Sequence, residues 1–340
     1  MCIRDRDIGV VYNPEIGKDN SLLLKEICNY DAIAIRSDTK LDSVVLNKAI
    51  KLKVIGSAGI GVDNIDLDSA SSKGIVVMNT PFGNAITTAE HTIAMIFAAA
   101  RNIPAANQST QSGRWEKKKF IGIELSRKKL GIVGVGNIGS IVASLAQSIG
   151  MEIIAYDPFL SDERAKNLKI YKTKDLDDLL SQSDVVTLHL PKNENTHNII
   201  SRENIYKMKK GSILVNCARG GLVEEIAVAE AIKTKHLSAA AFDVFLEEPA
   251  TSNPLFGLKN VICTPHLGAS TAEAQEKVSF QIADQIINYL KNGAIANALN
   301  APSIDPKEAL LLNPWIRLAK ILGSFIGQIL DSPILDIEID

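Results

Sequence analysis

The sequence predicts an α/β protein built from two doubly wound parallel sheets. Short apolar runs alternate with helical patterns along almost the whole chain, and they fall into two separate series. A glycine-rich turn follows the first run of the second series. Because parallel strands need long crossovers, which are usually helices, this alternation is typical of βαβ units. The hydrophobic and aromatic fractions, 46% and 5% of 340 residues, indicate a globular protein rather than a disordered or fibrous one.

The first series of apolar runs predicts a small sheet, and the second predicts a larger one. A long helix over 84–100 connects the two series, and a helix over 272–290 returns the chain to the first. The predicted strands are residues 8–12, 32–35, 54–56 and 75–78 in the first series, and 130–133, 153–156, 185–190, 213–216, 239–242 and 261–264 in the second.

The segment 130–139 predicts a dinucleotide site, because its glycines follow a strand and open a helix. Gly134 permits a tight turn, Gly136 lets the backbone approach a pyrophosphate, and Gly139 lets the helix pack close to the sheet. The first helical amides then face the phosphates with the positive end of the helix dipole. Asp157 ends the next strand, where a carboxylate accepts ribose hydroxyls and repels a ribose phosphate. The pattern therefore favours NAD over NADP.

Polar residues follow four further strands of this series. They are His189, Arg219, Asp243 with Glu248 beyond it, and His266. Because ligands of open α/β sheets lie outside the carboxyl ends of the strands, we expect these residues to converge. A guanidinium, a carboxylate and an imidazole together suit the oxidation of a 2-hydroxy acid.

Each of the three groups has a role in that reaction. His266 accepts the hydroxyl proton, a neighbouring carboxylate stabilises the charged ring, and Arg219 holds the substrate carboxylate. We assign the carboxylate to Glu248, although the residues alone leave Glu247 open. His189 is expected to line the cofactor site. Cys217 is interpreted as a small apolar contact, and surface or packing roles are expected for the remaining histidines, which are His91, His197 and His236.

The bulk properties exclude several other classes of protein. A net charge of −2 gives no general attraction for nucleic acid or an anionic membrane. The longest apolar runs are interrupted by charge or glycine, so no membrane span is expected. The four cysteines follow no metal or disulfide spacing, which favours a reducing cytoplasm and predicts no metal site.

The chain resembles the D-isomer-specific 2-hydroxyacid dehydrogenases, and among them the phosphoglycerate dehydrogenase branch. The resemblance extends from about Asp7 to the end. The motifs that carry it are Ile35-Arg-Ser37, Gly56-Ser-Ala-Gly-Ile-Gly-Val-Asp-Asn64, Asn79-Thr-Pro81, Asn84-Ala-Ile-Thr-Thr-Ala-Glu-His91, Gly134–Gly139, Val215-Asn-Cys-Ala-Arg-Gly-Gly221, Glu248-Pro249 and Thr264-Pro-His-Leu-Gly-Ala-Ser270.

The resemblance implies oxidation of 3-phospho-D-glycerate to 3-phosphooxypyruvate, the entry to serine biosynthesis, by a homodimer or homotetramer. It places catalysis at Arg219, Glu248 and His266, which selects Glu248 over Glu247. The implied NAD contacts are Gly134, Gly136, Asn137, Ile138, Gly139, Asp157, His189, Cys217, Ala218, Arg219, Asp243, His266, Gly268 and Ala269. The implied substrate contacts are Arg36, Ser37, Ala58, Gly59 and Asn84.

We expect a discontinuous organisation of domains. Residues 1–82 and 273–300 are predicted to form a flavodoxin-like substrate-binding domain that lacks the family's first strand and helix. Residues 83–272 are predicted to form a Rossmann NAD-binding domain, and the cleft between the two is the expected ligand site. Residues 301–340 are expected to begin a truncated further domain, with a helix over 314–330 and a strand over 334–340. Residues 1–6 match no element pattern, and we interpret them as an artefact.

The sequence also departs from the family pattern. Ser57 stands where many members carry arginine, and Asp38 stands where a small residue is common, which weakens the expected attraction for a phosphorylated acid. The alternatives within the family are a glyoxylate/hydroxypyruvate reductase and a D-lactate dehydrogenase. A dinucleotide-sensing corepressor is the alternative from another class, and turnover distinguishes it.

Overall fold

The computed structural model describes residues 8–304 and 306–329. The chain divides into two compact units. Unit 1 comprises Met1–Pro81 and Glu276–Asp340, and unit 2 comprises Phe82–Gln275. Both units contain parallel sheets with helical crossovers, so the predicted α/β fold class is confirmed.

Unit 1 contains a three-stranded parallel sheet in the order β1-β2-β3. Leu23, Ile27, Leu46 and Ile55 lie in its main apolar core. Its strands are β1 (Ala32–Ile35), β2 (Val54–Ser57) and β3 (Val76–Met78), and the helices before its second segment are α1 (Asn20–Glu26), α2 (Ser43–Lys48) and α3 (Leu67–Ser72).

The returning helix α10 (Ala272–Asn292) covers the other face of this small sheet. Ile282 and Ile286 pack there, and a Cβ added to Gly56 would approach both side chains to 2.6 Å. Gly56 therefore allows α10 to lie directly on β2. The helix α11 (Pro306–Ile329) begins earlier than the pattern over 314–330 indicated.

The predicted strand over residues 8–12 is wrong, because this segment is irregular. Val11 and Tyr12 are 65% and 86% exposed, so the run has no buried face to hold it against a sheet. The predicted strand over 334–340 and the unassigned residues 1–6 lie outside the described residues.

Unit 2 contains a seven-stranded parallel sheet in the order β10-β9-β8-β7-β4-β5-β6. The strand order reverses between β4 and β7, as in Rossmann folds. The strands are β4 (Lys129–Val133), β5 (Glu152–Tyr156), β6 (Tyr171–Lys172), β7 (Val185–Leu188), β8 (Ile213–Asn216), β9 (Ala239–Phe242) and β10 (Val261–Cys263), and the helices are α4 (Ala85–Ala100), α5 (Ile103–Gln111), α6 (Asn137–Ser148), α7 (Asp162–Asn167), α8 (Leu176–Gln182) and α9 (Glu225–Lys233).

Two apolar clusters pack against this sheet. Every residue of β7, β8 and β9 is buried, as expected for parallel strands covered on both faces. Of the strands in residues 8–304, only the short strand β6 was not predicted from the sequence, because two residues carry no periodicity. The common direction of the strands brings the turns after β4, β7, β8, β9 and β10 to the same edge of the sheet.

Candidate active site

The turn after β4 is shaped by its glycines. Gly134 has a φ of +93°, and a Cβ there would lie 2.6 Å from the carbonyl oxygen of His189. A Cβ on Gly139 would strike the carbonyl oxygen of Gly134. The helix α6 begins at Asn137 without a side-chain cap, and Gly136 before it is exposed. Its amino end can therefore receive an anion, as the sequence predicts.

Asp157 is tied to this turn as well as placed beside it. Its Oδ2 accepts a hydrogen bond from the Val135 amide at 2.7 Å, and its Oδ1 accepts one from the Phe159 amide at 2.8 Å. A carboxylate has about four acceptor positions, so two remain for ribose hydroxyls. Asp157 therefore fixes the turn and still offers the predicted ribose contact.

His189 lies beside the same turn, after β7. Its Nε2 is 3.1 Å from Thr187 Oγ1, while its buried Nδ1 has no hydrogen-bond partner among the described residues. Burial lowers the pKa of His189 to about 3, so the ring is neutral at pH 7. Buried polar atoms without partners are uncommon. This one, at the switch point of the sheet, suits a polar ligand group.

Cys217 follows β8 and is buried. Burial raises the pKa of its thiol to about 12, so the thiolate that a nucleophile requires is disfavoured. Its neighbour Ala218 is also buried, and the Ala218 amide donates to Asn216 Oδ1 at 3.1 Å. Both residues belong to buried apolar clusters, in agreement with the apolar role expected for Cys217.

Glu248 and His266 are in direct contact at this edge. Glu248 Oε2 lies 2.6 Å from His266 Nδ1, and Glu248 Oε1 accepts from the Phe245 amide at 2.9 Å. The hydrogen bond from Glu248 raises the pKa of His266 above its ordinary value, against the effect of burial. Burial alone would raise the pKa of Glu248, but the bonds from His266 and Phe245 lower it overall. The carboxylate thus orients the ring and stabilises its charged form.

Arg219 lies within electrostatic range of this pair. Its charge acts to lower the pKa of His266, against the larger effect of Glu248. Its Nη1 donates to the Ala218 carbonyl at 2.7 Å, and Asn216 Nδ2 donates to the Arg219 carbonyl at 2.9 Å. The residue as a whole is only partly exposed. The structure therefore brings Arg219, Glu248 and His266 into one zone.

Asp243 has surroundings that the sequence did not indicate. Its carboxylate is fully buried and accepts from the amides of Leu267 and Gly268, each at 2.8 Å, and from the Thr264 hydroxyl. Burial alone would raise its pKa, but bonds from His91, Thr264 and Leu267 keep the pKa below the ordinary value. Asp243 therefore holds the turn that carries His266. A direct cofactor contact of this residue stays a prediction.

His91 is the residue that the sequence analysis missed. Its Nε2 lies 3.3 Å from Asp243 Oδ1 and 3.4 Å from Thr264 Oγ1. A surface or packing role was expected, yet the ring reaches the network that supports His266. The helical spacing could have placed His91 on the inner face of α4, because Thr88, His91 and Met95 follow one another at intervals of three and four residues.

The predicted substrate contacts fall mostly in unit 1. Arg36 and Ser37 follow β1 and are exposed, while Ala58 and Gly59 follow the adjacent β2. The Ala58 amide donates to the Ile35 carbonyl at 2.8 Å, which joins the two segments. Ser57 is 2% exposed and donates to the Gly61 carbonyl at 3.3 Å, so its hydroxyl is directed inward.

Asn84, the remaining predicted substrate contact, belongs to unit 2. It directly precedes α4, and its buried Oδ1 has no hydrogen-bond partner among the described residues.

The helices within 8–304 and 306–329 include none that is long and apolar enough to span a membrane. Within the same ranges, no cluster of three or more histidine, cysteine or acidic residues could hold a metal ion.

The fold and site define a dinucleotide-binding α/β protein, and comparison with known proteins identifies its family. Residues 93–268 match the model of the D-isomer specific 2-hydroxyacid dehydrogenase NAD-binding domain. The chain belongs to this family and contains its NAD-binding domain. The resemblance stated from the sequence is thereby confirmed.

Individual relatives agree with this assignment. D-3-phosphoglycerate dehydrogenase of Archaeoglobus fulgidus is 45% identical over 98% of this chain and 63% of its own length. D-lactate dehydrogenase of Aquifex aeolicus, solved with NAD and lactic acid, has a TM-score of 0.74 and 30% identity, over 82% of this chain and 89% of that one. A glyoxylate reductase from Paecilomyes thermophila has a TM-score of 0.76 and 29% identity, over 82% and 88%. The chain spans about three fifths of the length of the curated relatives it matches.

Proposed function

We propose that this protein oxidises 3-phospho-D-glycerate to 3-phosphooxypyruvate with NAD, the first step of L-serine biosynthesis. The observation that carries the proposal is the Glu248–His266 pair, 2.6 Å apart, at the sheet edge that also presents the dinucleotide turn. The curated relatives named D-3-phosphoglycerate dehydrogenase support this substrate.

The cofactor is expected along the turns of unit 2. Gly134, Gly136, Asn137, Ile138 and Gly139 would hold the pyrophosphate by their backbone, since a glycine turn opening a helix suits phosphates. Asp157 would hold the adenosine ribose. The nicotinamide half of NAD would lie along residues that follow the carboxyl ends of β7, β8, β9 and β10. That set is His189, Cys217, Ala218, Arg219, Asp243, His266, Gly268 and Ala269. NAD bound there supplies the acceptor for a hydride.

His266 is the proposed proton acceptor. Its Nδ1 is occupied by Glu248, so Nε2 is the nitrogen left to receive the proton of the substrate hydroxyl. Glu248 stabilises the positive ring that results. Because the ring must start neutral, oxidation is expected to increase as the pH rises through the elevated pKa of His266.

Arg219 is the proposed anchor of the substrate carboxylate. A guanidinium offers parallel donors to both carboxylate oxygens, and it also polarises a carbonyl that forms beside them. Arg36, Ser37, Ala58, Gly59 and Asn84 are proposed to contact the rest of the substrate. Arg36 is the cation in this set, which suits the phosphate group.

The assembly and location belong to the same proposal. We propose a homodimer or homotetramer that works in the cytoplasm. Exposed apolar side chains on α4, α5 and the following loop, Phe97, Ile103, Trp115 and Ile121, support an interface between copies.

The proposal is tested by following NADH absorbance with 3-phospho-D-glycerate, D-glycerate, D-lactate and 2-hydroxyglutarate. The highest kcat/KM is expected for the phosphorylated acid. A higher value for D-lactate or D-glycerate would assign the chain to another activity of the family. NAD binding without turnover of any acid would favour the corepressor alternative.

A further inference from the structure

We propose that His91, on α4, is a positioning residue for the turn that carries His266, and that it acts through the buried carboxylate of Asp243. The inference rests on the proposed function for its consequence in catalysis, but its geometry lies entirely within unit 2. No substrate or cofactor contact is required of His91.

Asp243 is the centre of the arrangement. The main chain of Asp243 accepts the His266 amide at 2.8 Å, and its side chain accepts the next two amides, those of Leu267 and Gly268. One residue therefore holds three consecutive amides of the turn. His266 itself has a φ of +55°, a left-handed conformation that is uncommon for residues with a side chain.

His91 completes the set of donors around that carboxylate. Leu267, Gly268 and Thr264 all donate from the strand and turn, whereas the His91 ring approaches from the helix. Its Nε2 reaches both Asp243 Oδ1 and Thr264 Oγ1. Among the hydrogen bonds and ion pairs of the described residues, this contact joins the carboxylate to α4, a helix of 16 residues.

The position of the turn decides the distance from His266 to Glu248. Glu248 is fixed separately, by the Phe245 amide. If the turn shifts, Nδ1 of His266 moves away from Oε2 of Glu248, and Nε2 turns away from the hydroxyl that it must deprotonate. Misplacements of about 1 Å can lower rates by up to 10²-fold.

Several charged and titratable groups surround this network, and the test must separate the effect of His91 from theirs. His266 is influenced by Glu248, Asp243 and Arg219. Asp243 is influenced by His91, and it acts in turn on the Cys217 thiol. Of these groups only His91 lies on α4, so its replacement changes the support from the helix and leaves the others in place.

The test uses two variants of one position. In His91→Gln the side-chain amide nitrogen can occupy the place of Nε2 and donate to Asp243, while the shorter side chain of His91→Asn cannot reach. His236→Asn is the matched control, because His236 is a partly buried histidine of the same unit that contacts Tyr206 and lies in no proposed site.

The primary readout is the NMR titration of the His266 ring in ¹⁵N-histidine-labelled protein, assigned by comparison with His266→Gln. The titration midpoint of His266 is expected to fall toward the ordinary value in His91→Asn, and to stay at the wild-type value in His91→Gln and His236→Asn. The kcat of His91→Asn is expected to fall by roughly tenfold with a smaller change in NAD affinity, since the His266 ring is misplaced but the turn proposed to hold the pyrophosphate is not.

A wild-type titration in His91→Asn would overturn the proposal. So would an equal shift in His91→Gln, or an equal shift in His236→Asn, since either result would indicate general loosening rather than a specific hydrogen bond. The titration needs no substrate. A failure of the proposed function would therefore appear as absent turnover in wild-type protein, while the titration would still judge the role of His91.

Discussion

Two turns at the same edge of the large sheet are held in opposite ways. The turn after β4 takes its shape from missing side chains, because a Cβ on Gly134 or Gly139 would collide with neighbouring backbone. The turn after β10 takes its shape from an added group, the buried carboxylate of Asp243. The first is a surface prepared for an anion, and the second is a support for one catalytic ring. The comparison teaches that pyrophosphate binding and proton transfer depend on separate turns of the same sheet.

Replacement of the ring on the second turn should have the largest effect. His266→Asn is expected to lower kcat by about 10²–10⁴-fold, the usual range for loss of a general acid or base. NAD affinity, measured by fluorescence titration, should change far less than kcat, because the turn proposed to hold the pyrophosphate is untouched and His266 is one contact among many. Near-normal turnover would remove His266 from the mechanism.

A methyl group on the turn after β4 should weaken NAD binding while it leaves the proton-accepting ring of His266 unchanged. Gly134→Ala forces a side chain into φ +93° and toward the His189 carbonyl, so NAD affinity should fall by at least about tenfold. The His266 titration should be unchanged, because Asp243 still holds the second turn. Gly211→Ala is the matched control, since Gly211 also has positive φ but nothing lies near its Cβ position. Equal losses of affinity in both variants would show that local strain alone is responsible.

The pairing with Glu248 should appear in the pH profile. Glu248→Gln removes the charge and the strong hydrogen bond that raise the pKa of His266, so that pKa should fall. Because the neutral ring is the active form in oxidation, the acid limb of kcat/KM should move to lower pH even though the maximal rate decreases. An acid limb that stays in place would show that another group controls it.

The smallest effect is expected at Asp157. Asp157→Ala should weaken NAD binding several-fold, in line with the loss of one or two hydrogen bonds, and should narrow the preference over NADP. Both dissociation constants can be measured by titration. An unchanged ratio of the two constants would exclude Asp157 as the source of cofactor preference.

The two turns also differ in how well the sequence predicts them. Gly134, Gly136 and Gly139 lie within six residues, directly after an apolar strand, so local spacing was sufficient. The parallel arrangement of the strands then placed Arg219, Glu248 and His266 at one edge. Asp243 was recognised as a residue at a strand end. Its buried carboxylate, however, is stabilised by hydrogen bonds from amides 24 and 25 residues further along the chain. No local pattern contains such a pairing.

Other differences have similar physical causes. His91 lies 173 residues before Thr264, and only the packing of α4 on the sheet joins them. Residues 8–12 are apolar enough to suggest a strand. A strand also needs a neighbouring strand or helix to bury its side chains, and the sequence does not show whether one is present. The predicted end of the helix at residue 100 agrees with α4, and Asn102, whose φ is +54°, directly precedes α5.

The most direct measurement compares NAD affinity with turnover in Asp243→Asn. The amide has nearly the shape of the carboxylate, but its nitrogen replaces one of the two oxygens that accept from Leu267 and Gly268, so only one of these two bonds can remain. If support of the catalytic turn is the main role of Asp243, kcat falls and the His266 titration shifts, while the Kd for NAD rises by no more than roughly tenfold, the loss expected for one proposed contact among many. A large rise in Kd with an unaltered titration would contradict this account, and would make cofactor binding the main role of Asp243 rather than support of the catalytic turn.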